Sequence, residues 1–236
     1  MRRACGQRGG TARRFRGRRR RAPPFVTRRL LIDPINPSAD ALAPAAEWLR
    51  SGGVVAYPTD TLYGLAVDPA SASAVDALYA VKGRPAASAI PLLAASFEQV
   101  EEWFGALQGQ TAILARAFWP GPLSLILDAP PAFAPAVHAG TFTVAVRVPA
   151  HALARALAHA AGYPITSTSA NLSGQPAVAS PSALGAVADD ERVFVIDAGQ
   201  TPGGPPSTIV DARGDALSLV RDGAIAWERV LKSAYP

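Results

Sequence analysis

Four cations and a scatter of short hydroxyl side chains are the residues of this chain whose types and spacing could do chemistry. Lys82 and Arg84 stand two apart in KGRP, Arg147 ends the run TFTVAVR, and Arg221 follows LSLV. Beyond residue 29 the chain has only two lysines and nine arginines, so their placement carries information. At a helix C-terminus the cations of KGRP complement the helix dipole and its free carbonyls; in a cavity the same pair would meet an anion. Arg147 is more demanding. A period of two places Val144, Val146 and Val148 on one strand face and Thr143, Ala145 and Arg147 on the other. No acid lies near it in sequence, which favours an anionic ligand over a structural ion pair.

The hydroxyls cluster in three stretches. PITSTSANLSG puts Ser167 and Ser169 on one face of a strand, with Asn171 in the turn beyond. PTDTLYG interrupts an apolar run with Thr59, Asp60 and Thr61, and an extended backbone there would align Thr59, Thr61 and Tyr63. Ser207 opens a strand straight after the Gly/Pro loop AGQTPGGPP. Short polar groups at strand ends, with cations near them, suit a small polar anion and a nucleotide. There is no G-x-G-x-x-G and no P-loop to cradle phosphates. The three histidines, His138, His151 and His159, fall in no zinc spacing. The single cysteine, Cys5, leaves no thiol nucleophile or disulfide beyond residue 29. A reducing cytoplasm is the compartment this implies, and no run reaches the roughly 18 apolar residues of a membrane span.

An alternation of helical and strand-like segments positions these side chains, as in α/β or α+β folds. Ser38 caps a helix with Leu42, Ala46 and Leu49 on its apolar stripe, ended by Gly52 and Gly53. GVVAY reads as a buried strand, and a helix from about Ser73 to Val81 carries Lys82 at its end. IPLLA, LSLIL, TFTVAVRV, PITSTS, RVFVI, STIVDA and LSLV read as further strands, with helices over FEQVEEWF, TAILARAF and HALARALAHA. The expected picture is one multi-stranded mixed sheet covered by helices.

Net charge divides the chain. Residues 1–29 hold twelve arginines and no acid, whereas residues 30–236 carry 11 basic and 18 acidic side chains. The basic segment has too few large apolar residues to bury anything and is expected to be a disordered tail, residues 1–29, with residues 30–236 forming one folded domain. An RNA-binding arm, a transit peptide and a translated stretch ahead of the true start all remain open for it.

Over roughly residues 35 to 225 the motifs PTDTLYGL, KGRP, FWPGPLS, TVAVRVP, TSANLSG, PSTIVD and VRDG occur in the order found in the YrdC family, and the chain resembles that family. The resemblance implies a YrdC-like twisted mixed sheet flanked by helices around a concave cavity, in the short, single-domain form. Active members are threonylcarbamoyl-AMP synthases, which convert L-threonine, bicarbonate and ATP into threonylcarbamoyl-AMP and pyrophosphate. Transferase proteins then pass the threonylcarbamoyl group to tRNA. By motif position, Thr61, Arg147, Ser167 and Ser207 are expected to hold L-threonine. Lys82, Arg84, Ser88, Thr143, Ser169, Asn171, Ala177 and Arg221 are expected to hold ATP, with Lys82 and Arg84 catalytic. Mg2+ is expected to accompany ATP, with no ligand from a protein side chain. The nucleophile would be the carboxylate of threonine's own carbamate, so no serine, cysteine or histidine nucleophile is required. The Gly/Pro loop before Ser207 would close to shield that carbamate. The alternative is an RNA-binding YrdC-like paralogue without synthase activity. Three positions depart from the family pattern: Leu93 where many members have a threonine-contacting histidine, Ser88 for Asn or Lys, and Ala177 for Ser or Thr.

Overall fold

The computed structural model describes residues 28–83 and 88–235. Residues 1–27, with ten of the twelve early arginines, and residues 84–87, with Arg84, lie outside the described residues.

Local signals set the helices that matter for the site. Helix α1 (Ala39–Arg50) is capped by the Ser38 side chain, which accepts from the Ala41 amide at 3.1 Å, and Gly52 follows it at φ 90°. Helix α2 (Ala72–Lys82) begins under the Ser71 hydroxyl and stops at Gly83, whose φ of 65° a side chain would resist. That stop fixes Lys82 in the last helical turn. Helices α3 (Phe97–Phe104), α4 (Gly109–Phe118), α5 (Pro135–His138), α6 (Ala152–Ala161), α7 (Ala186–Asp189) and α8 (Trp227–Ala234) complete the set. No helix of the described residues is long and apolar enough to cross a membrane.

The strands form two mixed sheets rather than the single sheet expected. β1 (Arg29–Leu31), β9 (Val193–Asp197), β2 (Val54–Pro58), β3 (Tyr63–Ala66) and β8 (Thr168–Ser169) make the first, in that order. β11 (Ser218–Arg221), β10 (Thr208–Asp211), β5 (Leu123–Asp128), β6 (Thr143–Arg147), β4 (Leu92–Leu93) and β7 (Ile165–Thr166) make the second. The run PITSTS is where they meet. Ile165 and Thr166 pair with β4, Thr168 and Ser169 pair with β3, and between them the Ser167 amide donates to the Pro91 carbonyl at 2.7 Å. A strand that changes sheets at a bend makes a corner, and Ser167 occupies it.

Both faces of the inner strands are covered, which is why β2 reads as an unbroken apolar run. Val54 and Ala56 pack with Leu65, Val75, Leu78, Leu92 and Val146 in one cluster. Val55 and Tyr57 turn the other way, into a second cluster beneath α1 and α6 with Leu42, Leu153, Ile165 and Phe194. A third cluster joins α4 and α8 to β5 and β10 through Leu114, Leu123, Val210 and Val230.

The expected tail reaches two residues too far. Arg29 opens β1, which runs parallel to β9, and its guanidinium meets Asp197 at 2.8 Å; the Arg28 side chain donates to the Asp190 carbonyl at 2.8 Å. Backbone pairing on a sheet edge gives these two arginines the anchor that their composition alone does not suggest.

Candidate active site

A cavity of about 580 Å³ lies where the two sheets meet, walled by β3 and β8 on one side and by β4, β5, β6, β10 and β11 on the other. Its first wall is the PTDT turn. The Thr59 hydroxyl accepts from the amides of Thr61 and Leu62 at 3.2 and 3.3 Å and donates to the Leu62 carbonyl at 2.7 Å, so Thr59 is spent on closing the turn. That closure turns the Thr61 side chain toward the cavity. Tyr63 also lines it, with its hydroxyl donating to the Gly199 carbonyl at 2.8 Å and accepting from the Ala198 amide at 3.2 Å. Burial raises the Tyr63 phenol above its ordinary range, ahead of smaller effects of the Ala198 amide and nearby charges.

Arg147 lines the cavity but is not left to a ligand alone. Its Nη1 lies 2.8 Å from Oδ1 of Asp60 and 3.1 Å from Oδ2, in a largely buried pair. The expectation of an anionic ligand instead of an ion pair is corrected in that respect: the acid is 87 positions away and arrives through the fold. Nε and Nη2 of Arg147 make no hydrogen bond among the described residues, so two donors remain for a carboxylate.

Ser207 stands at the start of β10 beneath Arg221. The Arg221 Nη2 donates to the Ser207 Oγ at 2.9 Å and to its carbonyl at 2.7 Å, and Nε donates to the same carbonyl at 3.1 Å. Burial, and then the charge of Arg147, pull the Arg221 guanidinium below its ordinary pKa. Arg147 is buried and Arg221 is exposed at the rim, and two cations on one cavity make a field that an anion relieves. Tyr57, buried behind Ser167, donates to the Thr166 carbonyl at 3.3 Å. Burial, opposed by a hydrogen bond with Ser167, pushes its phenol up to about 12, so it stays protonated at neutral pH.

The residues expected at the site are distributed as follows. Thr61, Arg147, Ser167 and Ser207 all line the cavity, as do Ser169, Ala177 and Arg221. Lys82 stands behind the wall, only 3 % exposed, with Nζ donating to the carbonyls of Ser169 at 2.6 Å and Asn171 at 3.1 Å. The Asn171 amide closes its own turn by donating to the carbonyls of Leu172 and Gln175. Thr143 lies four residues up β6 from Arg147, with its hydroxyl on that of Thr141 at 3.3 Å. Ser88 is exposed, and its carbonyl accepts from the Tyr79 hydroxyl at 3.3 Å. Arg84 lies outside the described residues.

Leu93 differs from its expected place. It pairs with Arg147 in the β4 to β6 ladder but is fully buried in the cluster beneath α1 and α6, while Leu92 faces the cavity. Among residues not anticipated, Ser124 lines the cavity with its Oγ 2.9 Å from that of Ser207. A serine inside the apolar strand LSLIL was the available signal. The Gly/Pro loop is docked in its first half: the Thr201 hydroxyl and the Gly203 amide each donate to the Thr61 carbonyl at 2.8 Å. A more open depression of about 680 Å³ between α3 and α6, edged by Glu98, Glu102, Arg155 and His159, contains none of the expected residues.

Gly223 shows how closely the Ser207 segment is held. A Cβ there would stand 2.5 Å from the Ser207 carbonyl carbon and the Thr208 nitrogen, while the next amide, Ala224, donates to the Pro206 carbonyl at 2.9 Å. Gly223→Ala is expected to destabilise by roughly 1–3 kcal/mol through overpacking. For a chain of this size that lowers the melting midpoint by about 2–4 °C per kcal/mol. An unchanged thermal melt would show that the segment yields freely.

Comparison with known proteins places this geometry among relatives. Residues 47–223 match the Sua5/YciO/YrdC family model, described as telomere recombination. A Bacillus subtilis protein named threonylcarbamoyl-AMP synthase is 37 % identical over 201 residues, covering 85 % of this chain and 58 % of that protein. A Vibrio cholerae protein of the same name is 39 % identical over 186 residues, covering 77 % of this chain and 97 % of its own length. The crystal structure of P. abyssi Sua5 complexed with L-threonine superposes with a TM-score of 0.78 at 34 % identity, covering 88 % of this chain and 61 % of that one. The chain thus spans about three fifths of the B. subtilis and P. abyssi proteins.

Proposed function

The chain belongs to the Sua5/YciO/YrdC family, and from that membership we propose that it is an L-threonylcarbamoyladenylate synthase supplying the threonylcarbamoyladenosine modification of tRNA. The observation that carries the reading is the convergence of Thr61, Arg147, Ser167 and Ser207 on one cavity with Arg221 at its edge. Arg147 would take the threonine carboxylate on Nε and Nη2, held in aim by Asp60 through Nη1. Thr61, Ser167 and Ser207 would surround the same amino acid with hydroxyls. Condensation of the threonine amine with bicarbonate gives the carbamate and water. A carbamate oxygen then attacks the α-phosphorus of ATP, the α–β bridging bond breaks, and pyrophosphate leaves. The chain's work is to set two anions in line and to offset charge developing on the phosphates, which falls to Lys82, Arg84 and Arg221.

Magnesium enters as part of the nucleotide substrate, MgATP, held by its phosphate oxygens. Among the described residues no group of three His, Cys, Asp or Glu is gathered to hold a metal ion. The product passes to transferase proteins acting on tRNA, and the cytoplasm is where ATP, bicarbonate and tRNA meet.

The test is pyrophosphate release from MgATP by the purified chain in bicarbonate buffer. Release that requires L-threonine is expected. Equal release without threonine, or none at all, overturns the reading, and absent release together with retention of RNA would favour the paralogue that binds RNA without synthase activity.

A further inference from the structure

Ser124 has no part in the reaction as set out above, yet its surroundings constrain it tightly. It is 2 % exposed, it lines the cavity, and the only hydrogen-bond partner of its hydroxyl among the described residues is the Ser207 Oγ at 2.9 Å. A buried hydroxyl gives its proton to an acceptor when one is in reach. Either hydroxyl could donate in this contact, but Ser124 is the more buried of the two, and the reverse direction would leave its proton without an acceptor, whereas the Ser207 proton can turn to the cavity.

The consequence falls on Ser207. Its Oγ also receives Nη2 of Arg221 at 2.9 Å, and a guanidinium can only donate. A serine hydroxyl has two lone pairs and one proton. With Arg221 on one lone pair and Ser124 donating to the other, Ser207 has nothing left to do but donate, and among the described residues its proton has no acceptor apart from the Ser124 Oγ that is already donating to it. The proton is left for whatever fills the cavity.

Sheet register explains why the pair sits where it does. Ile209 of β10 pairs with Arg221 on one side and with Ser124 on the other, and Leu125 pairs with Val146, which brings Ser124 beside Arg147. A row of side chains therefore crosses four strands, each about 4.8 Å from the next. Between its two cations, Ser124 is the polar member.

We infer that Ser124 is a positioning residue that holds the Ser207 hydroxyl as a committed donor toward an anionic oxygen, the carboxylate of the amino-acid substrate. The inference rests on the reading of Ser207 as a threonine contact. Without Ser124, Ser207 keeps an open lone pair and can rotate to accept from water or from the substrate amine, so a carboxylate loses its dedicated donor.

Ser124→Ala is expected to raise the threonine KM, and the threonine dissociation constant measured by calorimetry, about tenfold, with kcat and the ATP KM unchanged. Ser124→Thr restores the hydroxyl and should return threonine affinity to within about twofold of the parent. In a Ser207→Ala background, Ser124→Ala should add nothing, because its effect passes through Ser207. Should Ser124→Ala lose its fold, Ser124→Cys, a near-isosteric weak donor, carries the same readout. Additive effects with Ser207→Ala, equal affinities for the Ala and Thr variants, or a matching change in the ATP KM would each overturn the inference. Calorimetry keeps the two claims apart. A parent chain that binds threonine but releases no pyrophosphate refutes the synthase reading and leaves Ser124 testable, whereas one that binds no threonine overturns both.

Discussion

Arg147→Ala is expected to raise the threonine KM by about two orders of magnitude while moving the ATP KM no more than about twofold. The asymmetry follows from where the charge points. Nε and Nη2 of Arg147 have no hydrogen-bond partner among the described residues, and each would give a charge-assisted bond to the α-carboxylate. Such bonds are worth about 1.5–3 kcal/mol apiece, so losing both accounts for a hundredfold effect or more. The same substitution strands Asp60, whose side chain is 16 % exposed and whose Oδ1 is buried with no hydrogen bond of its own. A lone buried charge costs several kcal/mol, so a lower melting midpoint should accompany the kinetic defect. The two effects can be separated. Asp60→Ala added to Arg147→Ala should recover most of the lost midpoint and none of the threonine affinity. A single variant that loses ATP affinity more than threonine affinity would mean that the two subsites are the other way round.

That ion pair also marks the limit of what a sequence discloses here. The period of two in TFTVAVRVP placed Arg147 opposite the valines because one strand face was already committed to the core. Its partner Asp60 stands in a turn of another sheet, and nothing local links the two. Ser124 was hidden differently, as one hydroxyl in LSLIL whose meaning depends on Ser207 arriving on the neighbouring strand. Short elements escaped for want of period. β1 has three residues, and β3, YGLA, is buried on both faces and so shows no alternation, whereas β7 and β8 read together as the one strand PITSTS. Helix α8, WERVLKSA, did carry a readable stripe, with Trp227, Val230, Leu231 and Ala234 at helical spacing, and passed unread after the strand LSLV. The division into two sheets could not be inferred from PITSTS, since the break at Ser167 comes from which strands reach it from outside.

Lys82→Met should lower kcat by about 10²- to 10³-fold, the loss usual for removing one preorganised charge from a developing transition state, and should leave threonine binding within about threefold of the parent. Lys82 is held in place before any ligand arrives. The Gly83 stop leaves it in the final turn of α2, and Nζ is fixed by the carbonyls of Ser169 and Asn171. Methionine keeps the length and packing of the stem but removes a donor from both carbonyls; Ser169 retains the Asn171 amide at 3.0 Å, whereas the Asn171 carbonyl is left unsatisfied at about 1–3 kcal/mol, so a structural loss is expected as well and must be told from the electrostatic one. Ser167 decides between them, because it lies two residues before Ser169 on the same bend and lines the cavity where threonine is proposed to bind. If the charge is what matters, calorimetric threonine affinity survives while pyrophosphate release collapses. If the lysine serves only to hold the turn, Ser167 moves with Ser169, and threonine affinity falls in step with turnover. Lys82→Arg sharpens the distinction: its guanidinium can still donate to both carbonyls but places its charge further along a planar head, in a position only 3 % exposed. Recovery of the melting midpoint without recovery of turnover in that variant would locate the requirement in the position of the ammonium charge itself.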